Sequence, residues 1–195
     1  MPGKVLLIGP VLLVAVSIPA DADKAPATKD DLYPIYEHGE GRWLAFDAPL
    51  RVRQDLETPG LHEYKLKLTV SVLVREGRQA EVRFTFAEEG TFKDALRPEL
   101  PSSTHVDLVI GERSSVAVPL TAAGFTAFGG KRQIATSFAT VPLHTFEKMV
   151  AAKSLRGHLC WRSTDGEVIG QNELRFFTLD EKALRTLAAL DAKAR

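Results

Sequence analysis

Two consecutive stretches of the chain alternate apolar and polar residues with a period of two. The apolar positions of residues 64–75 are Tyr64, Leu66, Leu68, Val70, Val72 and Val74. Those of residues 79–86 are Ala80, Val82, Phe84 and Phe86. Successive side chains of a β-strand point to opposite faces, so this pattern predicts two strands with one buried face each. Gly77 lies between them and favours a hairpin.

The register of this hairpin follows from the apolar faces. A shift of one residue would turn the apolar set of one strand outward. We therefore expect Val74 to pair with Val82. Each residue two positions earlier on the first strand should then pair with the residue two positions later on the second strand. The same register places Arg75 opposite Glu81, which is a favourable cross-strand pair.

Shorter predicted strands with compact connections account for most of the remaining chain. Gly129-Gly130 is suited to a two-residue hairpin turn, because glycine accepts positive φ at both positions. Asp165-Gly166 marks a further hairpin, and Gly170 favours a bulge or break in its second arm. The additional strands are predicted at residues 42–46, 104–110, 114–120, 125–128, 131–141, 155–162 and 167–177.

Two segments have helical periodicity. Residues 144–153 place Phe146, Met149 and Val150 on one side at spacings of three and four residues. A second helix is predicted to begin at Thr178, where the hydroxyl and Glu181 form a capping box. Its apolar stripe consists of Leu184, Leu187 and Leu190.

These elements predict a mainly β, α+β fold. We expect an antiparallel β-sandwich or partly closed barrel, with two helices packed on one side or end. Residues 32–195 are predicted to form one domain, since 45% hydrophobic and 26% charged residues are ordinary for a globular chain. Residues 23–31 are small and charged, and are predicted to be a flexible leader.

The amino-terminal residues 1–22 have the pattern of a secretory signal peptide. Lys4 precedes an apolar run, and Ala20-Asp21-Ala22 matches the small-x-small cleavage pattern. An uncleaved anchor is the alternative, but the run is shorter than the about 20 apolar residues that a spanning helix needs. We therefore expect a periplasmic or secreted protein with no stable membrane span after cleavage.

The charge balance and the cysteine content exclude several classes of interaction. The chain has 25 basic and 25 acidic residues, which argues against nucleic acid or an anionic membrane surface as the main partner. Cys160 is the only cysteine, so no internal disulfide is available. Packing and hydrogen bonding must therefore stabilise the fold.

Cys160 and His158 are the candidate catalytic residues. They lie two positions apart on one predicted strand and so share a face, which suggests a thiol beside a base. Their Cα atoms would be about 7 Å apart, and no third residue that orients the histidine is evident. A single cysteine more often fills the core as a small apolar residue. We therefore favour a non-catalytic protein, with a hydrolase as an alternative.

No metal site and no cofactor is predicted. The histidines His38, His62, His105, His144 and His158 include no pair at one-turn spacing. A phosphate loop that ends at Gly130-Lys131 would require glycine where Phe125 stands.

Two segments are candidate binding sites. Residues 88–103 form the longest connection between the predicted strands, and a binding lid there would use Phe92 and Leu96. The alternative is a crossover between two sheets. The tip of the Gly129-Gly130 hairpin carries Phe128, Lys131 and Arg132, which could contact an anionic partner or remain solvated.

The favoured functional hypothesis is an exported domain that binds a protein or an envelope component through loops or a sheet edge. The first alternative is a small-molecule or lipid carrier with an apolar cavity. The residues that would line this cavity are Phe84, Phe86, Phe138, Phe176 and Phe177.

Overall fold

A computed structural model describes residues 32–37, 41–56, 61–93, 103–112, 114–129, 131–162, 168–169 and 173–195. The first group of strands is β1 Tyr33–Glu37, β2 Gly41–Ala48, β3 Leu50–Leu56, β4 Leu61–Arg75, β5 Arg78–Phe92 and β6 His105–Ile110. The second group is β7 Ser114–Pro119, β8 Thr121–Phe128, β9 Arg132–Val141, β10 Leu155–Arg162, β11 Val168–Ile169 and β12 Glu173–Leu179. The helices are α1 Leu143–Val150 and α2 Glu181–Ala194.

The strands form two antiparallel sheets that are not closed into a barrel. Sheet 1 has six strands in the order β1-β2-β4-β5-β9-β8. Sheet 2 has the order β3-β12-β10-β6-β7, and β11 pairs beside β10. The predicted mainly β class is confirmed, and of the two predicted architectures the β-sandwich is the one observed.

The core lies between the sheets and beneath the helices. The rings of Phe86 in sheet 1 and Phe177 in sheet 2 are 5.6 Å apart between centroids, and both are buried. Elsewhere α2 packs on β2, β4 and β12, while α1 packs on β5. Leu187 and Leu190 of α2 have no exposed surface. The helices thus cover part of the inner face of sheet 1, and sheet 2 covers another part.

The hairpin of β4 and β5 is present as predicted, but its predicted register is wrong. Val82 pairs with Val72 instead of Val74. Arg75 consequently faces Arg78 and not Glu81. The shift preserves the apolar faces, because Val72 and Val74 lie on the same side of the strand.

The tight turn of this hairpin and an irregularity beside it together set the register. The turn pairs Arg75 with Arg78, and a register shift between Leu73 and Val74 then brings Val72 opposite Val82. Glu76 and Gly77 form the connection and have φ angles of 49° and 72°. A two-residue turn with positive φ at both positions matches the right-handed twist of the strands it joins. The predicted register assumed a longer connection.

One further connection differs in detail from its prediction, and another lies mostly outside the described residues. Phe128 pairs with Arg132, so three residues, 129–131, connect β8 to β9 instead of two. The predicted second arm of the last hairpin contains β11 and β12, and Gly170, where we expect a bulge or break, lies outside the described residues. The Asp165-Gly166 turn lies outside the described residues.

The second helix begins later than predicted. Thr178 belongs to β12, where it pairs with Arg156 and Arg51. The cap is Asp180, whose Oδ1 accepts a hydrogen bond of 2.8 Å from the backbone N–H of Ala183. The strand continues past Thr178 to Leu179, which is its last residue and is buried.

Several predicted segments remain untested. The predicted signal peptide and leader, residues 1–31, lie outside the described part of the chain. Neither described helix is long and apolar enough to cross a membrane.

Candidate functional site

Strand β8 forms one edge of sheet 1. Among the described strands its only hydrogen-bonded neighbour is β9, and all eight of its residues are exposed. Its sequence, TAAGFTAF, contains no charged residue and no proline. Phe125 and Phe128 are 48% and 50% exposed. The strand therefore combines an open backbone edge with two aromatic side chains in contact with solvent.

The hairpin tip beside this edge carries the charged residues predicted from the sequence. Arg132 donates from Nε and Nη2 to the two carboxylate oxygens of Glu89, at 2.7 and 3.1 Å. Its guanidinium lies 5.4 Å from the ring centre of Phe128. This hydrogen bonding to Arg132 holds the pKa of Glu89 below its ordinary value. Lys131 is exposed at the same tip.

The first five residues of the connection predicted at 88–103 belong to a strand instead. Residues 88–92 continue β5, and Phe92 is the last residue of that strand. The backbone N–H of Phe92 donates to the carbonyl oxygen of Lys131 at 2.7 Å, which places it beside the hairpin tip. Its ring is only 2% exposed, however. Leu96 lies outside the described residues.

A cavity of about 350 Å³ lies next to β8. Small side chains of β8 and β9 leave this space, and Glu88 and Ser103 are among its polar groups. The other residues that line it are Ala122, Ala123, Gly124, Phe125, Ala135, Thr136 and Ser137.

Glu88 also belongs to a buried polar cluster that connects the sheets. Nε of Arg175 lies 3.0 Å from Oε2 of Glu88, and the hydroxyl of Tyr64 donates to the same oxygen at 2.9 Å. Nη1 of Arg175 donates to Oγ of Ser103 at 2.6 Å. Burial raises the pKa of Glu88, and the charge of Arg175 offsets part of this effect.

The sequence carries a signal for this cluster that the prediction missed. The inward positions of β5 continue from Phe84 and Phe86 to Glu88, and Arg175 alternates in the same way with Phe177. A charged residue at an inward position requires a buried partner of opposite charge. Extending the alternation past Phe86 would have identified Glu88.

The candidate catalytic residues lie on the outer face of sheet 2. The register of β10 and β6 places His158 opposite Asp107, and Nε2 of His158 is 3.1 Å from Oδ2 of Asp107. The potential ligand atoms of Asp107, His158 and Cys160 all lie within 4.8 Å of one another. The structure thus supplies an acidic residue that orients the histidine.

Burial of Cys160 does not suit a nucleophile that a substrate must reach. Its side chain has no exposed surface, and Sγ donates to the backbone oxygen of His105 at 3.8 Å. The geometry therefore favours a thiol shielded from solvent over an accessible one.

The five phenylalanines considered for a carrier do not line one common cavity. Phe84, Phe86 and Phe177 are packed in the core. Phe138 lies on the opposite face of sheet 1, where the guanidinium of Arg83 is 4.6 Å from its ring centre.

Comparison of the chain with protein-family models, with curated protein sequences and with solved structures found no match.

Proposed function

We propose that the chain is an exported, non-catalytic domain that binds another protein by pairing an extended segment of that protein with β8. The single observation that carries this proposal is the unprotected edge of β8, which is exposed along its whole length. An edge strand offers unpaired backbone N–H and C=O groups to an incoming strand. Added strands of this kind gain affinity from backbone hydrogen bonds and specificity from side-chain contacts.

The other described edges carry features that oppose such pairing. Strand β1 contains Pro34, and β7 ends at Pro119. Strand β3 carries exposed Arg51 and Arg53. Proline and charged residues are the usual means by which proteins protect an edge. Strand β8 lacks both, which supports it as the binding edge.

The surroundings of β8 define the chemistry of the partner. Phe125 and Phe128 lie three residues apart and so point to opposite faces of the sheet, and each favours a small or apolar side chain at the facing position of the incoming strand. Lys131 favours an acidic residue where the partner reaches the hairpin tip, whereas Arg132 already pairs with Glu89. The expected partner is therefore a protein with an extended, apolar segment that ends in acidic residues.

A matched pair of lysine substitutions tests this edge. The immobilised chain is exposed to a detergent extract of its own cell envelope, and retained proteins are identified and quantified by mass spectrometry. Ala127→Lys places a charge on exposed β8, and Ala117→Lys places the same charge on exposed β7. We expect one near-stoichiometric partner that is lost with Ala127→Lys and retained with Ala117→Lys.

Amide hydrogen exchange on the isolated complex provides the second measurement. The proposal expects binding to slow exchange along β8 and to leave β7 unchanged. Equal loss of the partner in both variants, or protection confined to another surface, would overturn it. Concentration-dependent dimers that Ala127→Lys abolishes would show that β8 pairs with a second copy, which would also overturn binding of a different protein.

A further inference from the structure

We propose that the outer face of sheet 2 contains a binding site for zinc or a similar divalent transition-metal ion, with Asp107, His158 and Cys160 as its ligands. This inference is independent of the proposed protein-binding edge, because β8 belongs to the other sheet. The spacing of the histidines along the sequence did not predict this cluster of side chains.

The strand register assembles the cluster. Strand β6 contributes His105 and Asp107, two positions apart, and β10 contributes His158 and Cys160 with the same spacing. His158 pairs with Asp107, and Cys160 pairs with His105. The alternating neighbours on each strand, including Val106 and Leu159, are buried in the core. The four side chains therefore form a two-by-two array on the outer face.

The distances are close to those of a metal centre. The ligand atoms of the three proposed residues lie within 4.8 Å of one another, and Nε2 of His158 is 3.1 Å from Oδ2 of Asp107. Tetrahedral zinc with bonds of about 2.0–2.3 Å has ligand atoms about 3.3–3.8 Å apart. Small side-chain rotations would bring the sulfur to that distance without a change in the strands.

The donor types and their charges also fit such an ion. Thiolate sulfur, imidazole nitrogen and carboxylate oxygen are all ligands that zinc accepts. A thiolate and a carboxylate together balance the two positive charges of the ion. Only 21% of the His158 side chain and 14% of the Asp107 side chain are exposed, so a neutral complex suits this partly shielded position.

Metal binding has a defined proton balance. The thiol of Cys160 loses its proton to solvent as sulfur binds the ion, and no electron is transferred. Nε2 of His158, which lies against Oδ2 of Asp107, gives up its hydrogen to solvent and binds the ion in its place, while Nδ1 takes up a proton, so the imidazole stays neutral and the thiol proton is the net proton released. Affinity for the metal is consequently expected to rise with pH as deprotonation of the thiol becomes easier.

The strands hold the ligands in place before the ion binds. The ring of His158 contacts that of Phe176, with 5.3 Å between centroids. A Cβ atom added to Gly157 would lie 2.7 Å from the backbone oxygen of Asp107, which shows how closely β10 and β6 approach. Ligands on paired strands are more precisely positioned than ligands on loops.

His105 is a candidate for the fourth ligand. It lies opposite Cys160 in the register, and its Nδ1 is 3.0 Å from Oγ1 of Thr104. Because this contact uses Nδ1, the other ring nitrogen, Nε2, can bind the ion once the ring rotates towards it. Water occupies the fourth position if His105 stays in place.

Cobalt binding tests the site directly. Co²⁺ is titrated into the reduced, full chain, and the expected result is a near-ultraviolet thiolate-to-cobalt charge-transfer band that saturates at one equivalent. Strong visible d–d absorption would indicate tetrahedral geometry. We expect Zn²⁺ to abolish both signals by displacing cobalt.

Variants separate the ligands from other metal-binding groups. Cys160→Ser is expected to abolish the charge-transfer band, and His158→Gln to weaken affinity by more than about tenfold. His62→Gln, which changes an exposed histidine on β4, is the matched control and is expected to bind as the parent does. A change in the visible spectrum with His105→Gln would identify the fourth ligand.

The wild-type spectrum decides the proposal even if a variant does not fold. Absence of the charge-transfer band in the folded, reduced chain would overturn it, because that band reports sulfur ligation without any substitution. A band that persists unchanged in folded His158→Gln and Asp107→Asn would also overturn the assigned ligand set. Circular dichroism establishes that each variant is folded.

Discussion

The side chains of Arg175 and Glu88 form an ion pair of 3.0 Å across the interior of the sandwich, where only 2% and 3% of the two side chains are exposed. Tyr64 and Ser103 complete the hydrogen bonds around it. Since a buried charge is costly unless it is paired, these contacts restrict how the two sheets can be placed against each other. The pair is therefore both a contact between the sheets and a constraint on their alignment.

Removing the cation alone should strongly destabilise the fold. Arg175→Met leaves Glu88 buried without its charged partner, and we expect a loss of about 3–5 kcal/mol in the free energy of unfolding. The double variant Glu88→Gln/Arg175→Met should lose less than this. Urea unfolding of the parent, both single variants and the double variant measures the difference. Equal losses in Arg175→Met and the double variant would contradict this explanation.

Gly157 should not tolerate a side chain. An added Cβ would lie 2.7 Å both from the backbone oxygen of Asp107 and from Cζ of Phe177. We expect Gly157→Ala to reduce the free energy of unfolding by about 1–3 kcal/mol through overpacking. Gly124→Ala is the control, because its Cβ would meet no atom within 4 Å. Thermal unfolding of both variants tests this, and equal stability of the two would show that the close approach relaxes at no cost.

The cap of α2 is expected to depend on Asp180 and not on Thr178. Asp180→Ala removes the acceptor of the Ala183 N–H and should cost about 0.5–2 kcal/mol. Asp180→Asn preserves a side-chain oxygen and should retain most of that stability. Chemical unfolding gives the free energy of unfolding of these variants and of Thr178→Ala, and so distinguishes the two positions. A larger loss in Thr178→Ala than in Asp180→Ala would restore the cap predicted from the sequence.

Tyr33 should ionise at higher pH than an ordinary tyrosine. Burial, followed by the charge of Asp47 and the hydrogen bond of 3.0 Å to it, raises the pKa of Tyr33 to about 12. Because the ordinary pKa is about 10, the stabilising contribution of this proton is complete below about pH 10 and is lost as the pH rises towards 12. The difference in tyrosinate absorbance between the parent and Tyr33→Phe measures this titration. A midpoint near 10 in folded protein would contradict the assignment.

The sandwich could be predicted largely because its longest strands alternate clearly. Residues such as Val70, Val72, Val82 and Phe84 define one inner face, and the structure buries all of them. Their register depends instead on the two-residue turn at Glu76 and Gly77, where φ is positive, and on the register shift between Leu73 and Val74. Alternation identifies a face but does not distinguish registers that differ by two.

Strand β3 could not be identified from the same pattern. Residues 50–56 mix Arg51, Arg53 and Asp55 with apolar residues, and no local hairpin signal pairs them. Their partner is β12, which lies near the other end of the chain. A short window of sequence does not show which distant strand a segment pairs with.

For the candidate sites, the sequence predicted only the residues that lie close together along the chain. The spacing of His158 and Cys160 identified two residues on one face, but Asp107 joins them because β6 lies beside β10. Similarly, Gly129-Gly130 predicted the hairpin tip that carries Phe128. The position of β8 at the edge depends instead on the order of strands in the whole sheet. The sequence therefore predicts single strands and turns better than the surfaces they build together.

The pairing of Leu50 with Leu179 has a consequence for the order in which the chain can fold. The hairpin of β4 and β5 closes over two residues and can form early, whereas β3 must wait for a strand that is synthesised long after it. Shortening the chain by its last elements would remove both β12 and α2, which cover the core. Synthesis of β12 therefore determines when the early-made strand β3 can join its sheet, and a nascent chain must remain unaggregated until then.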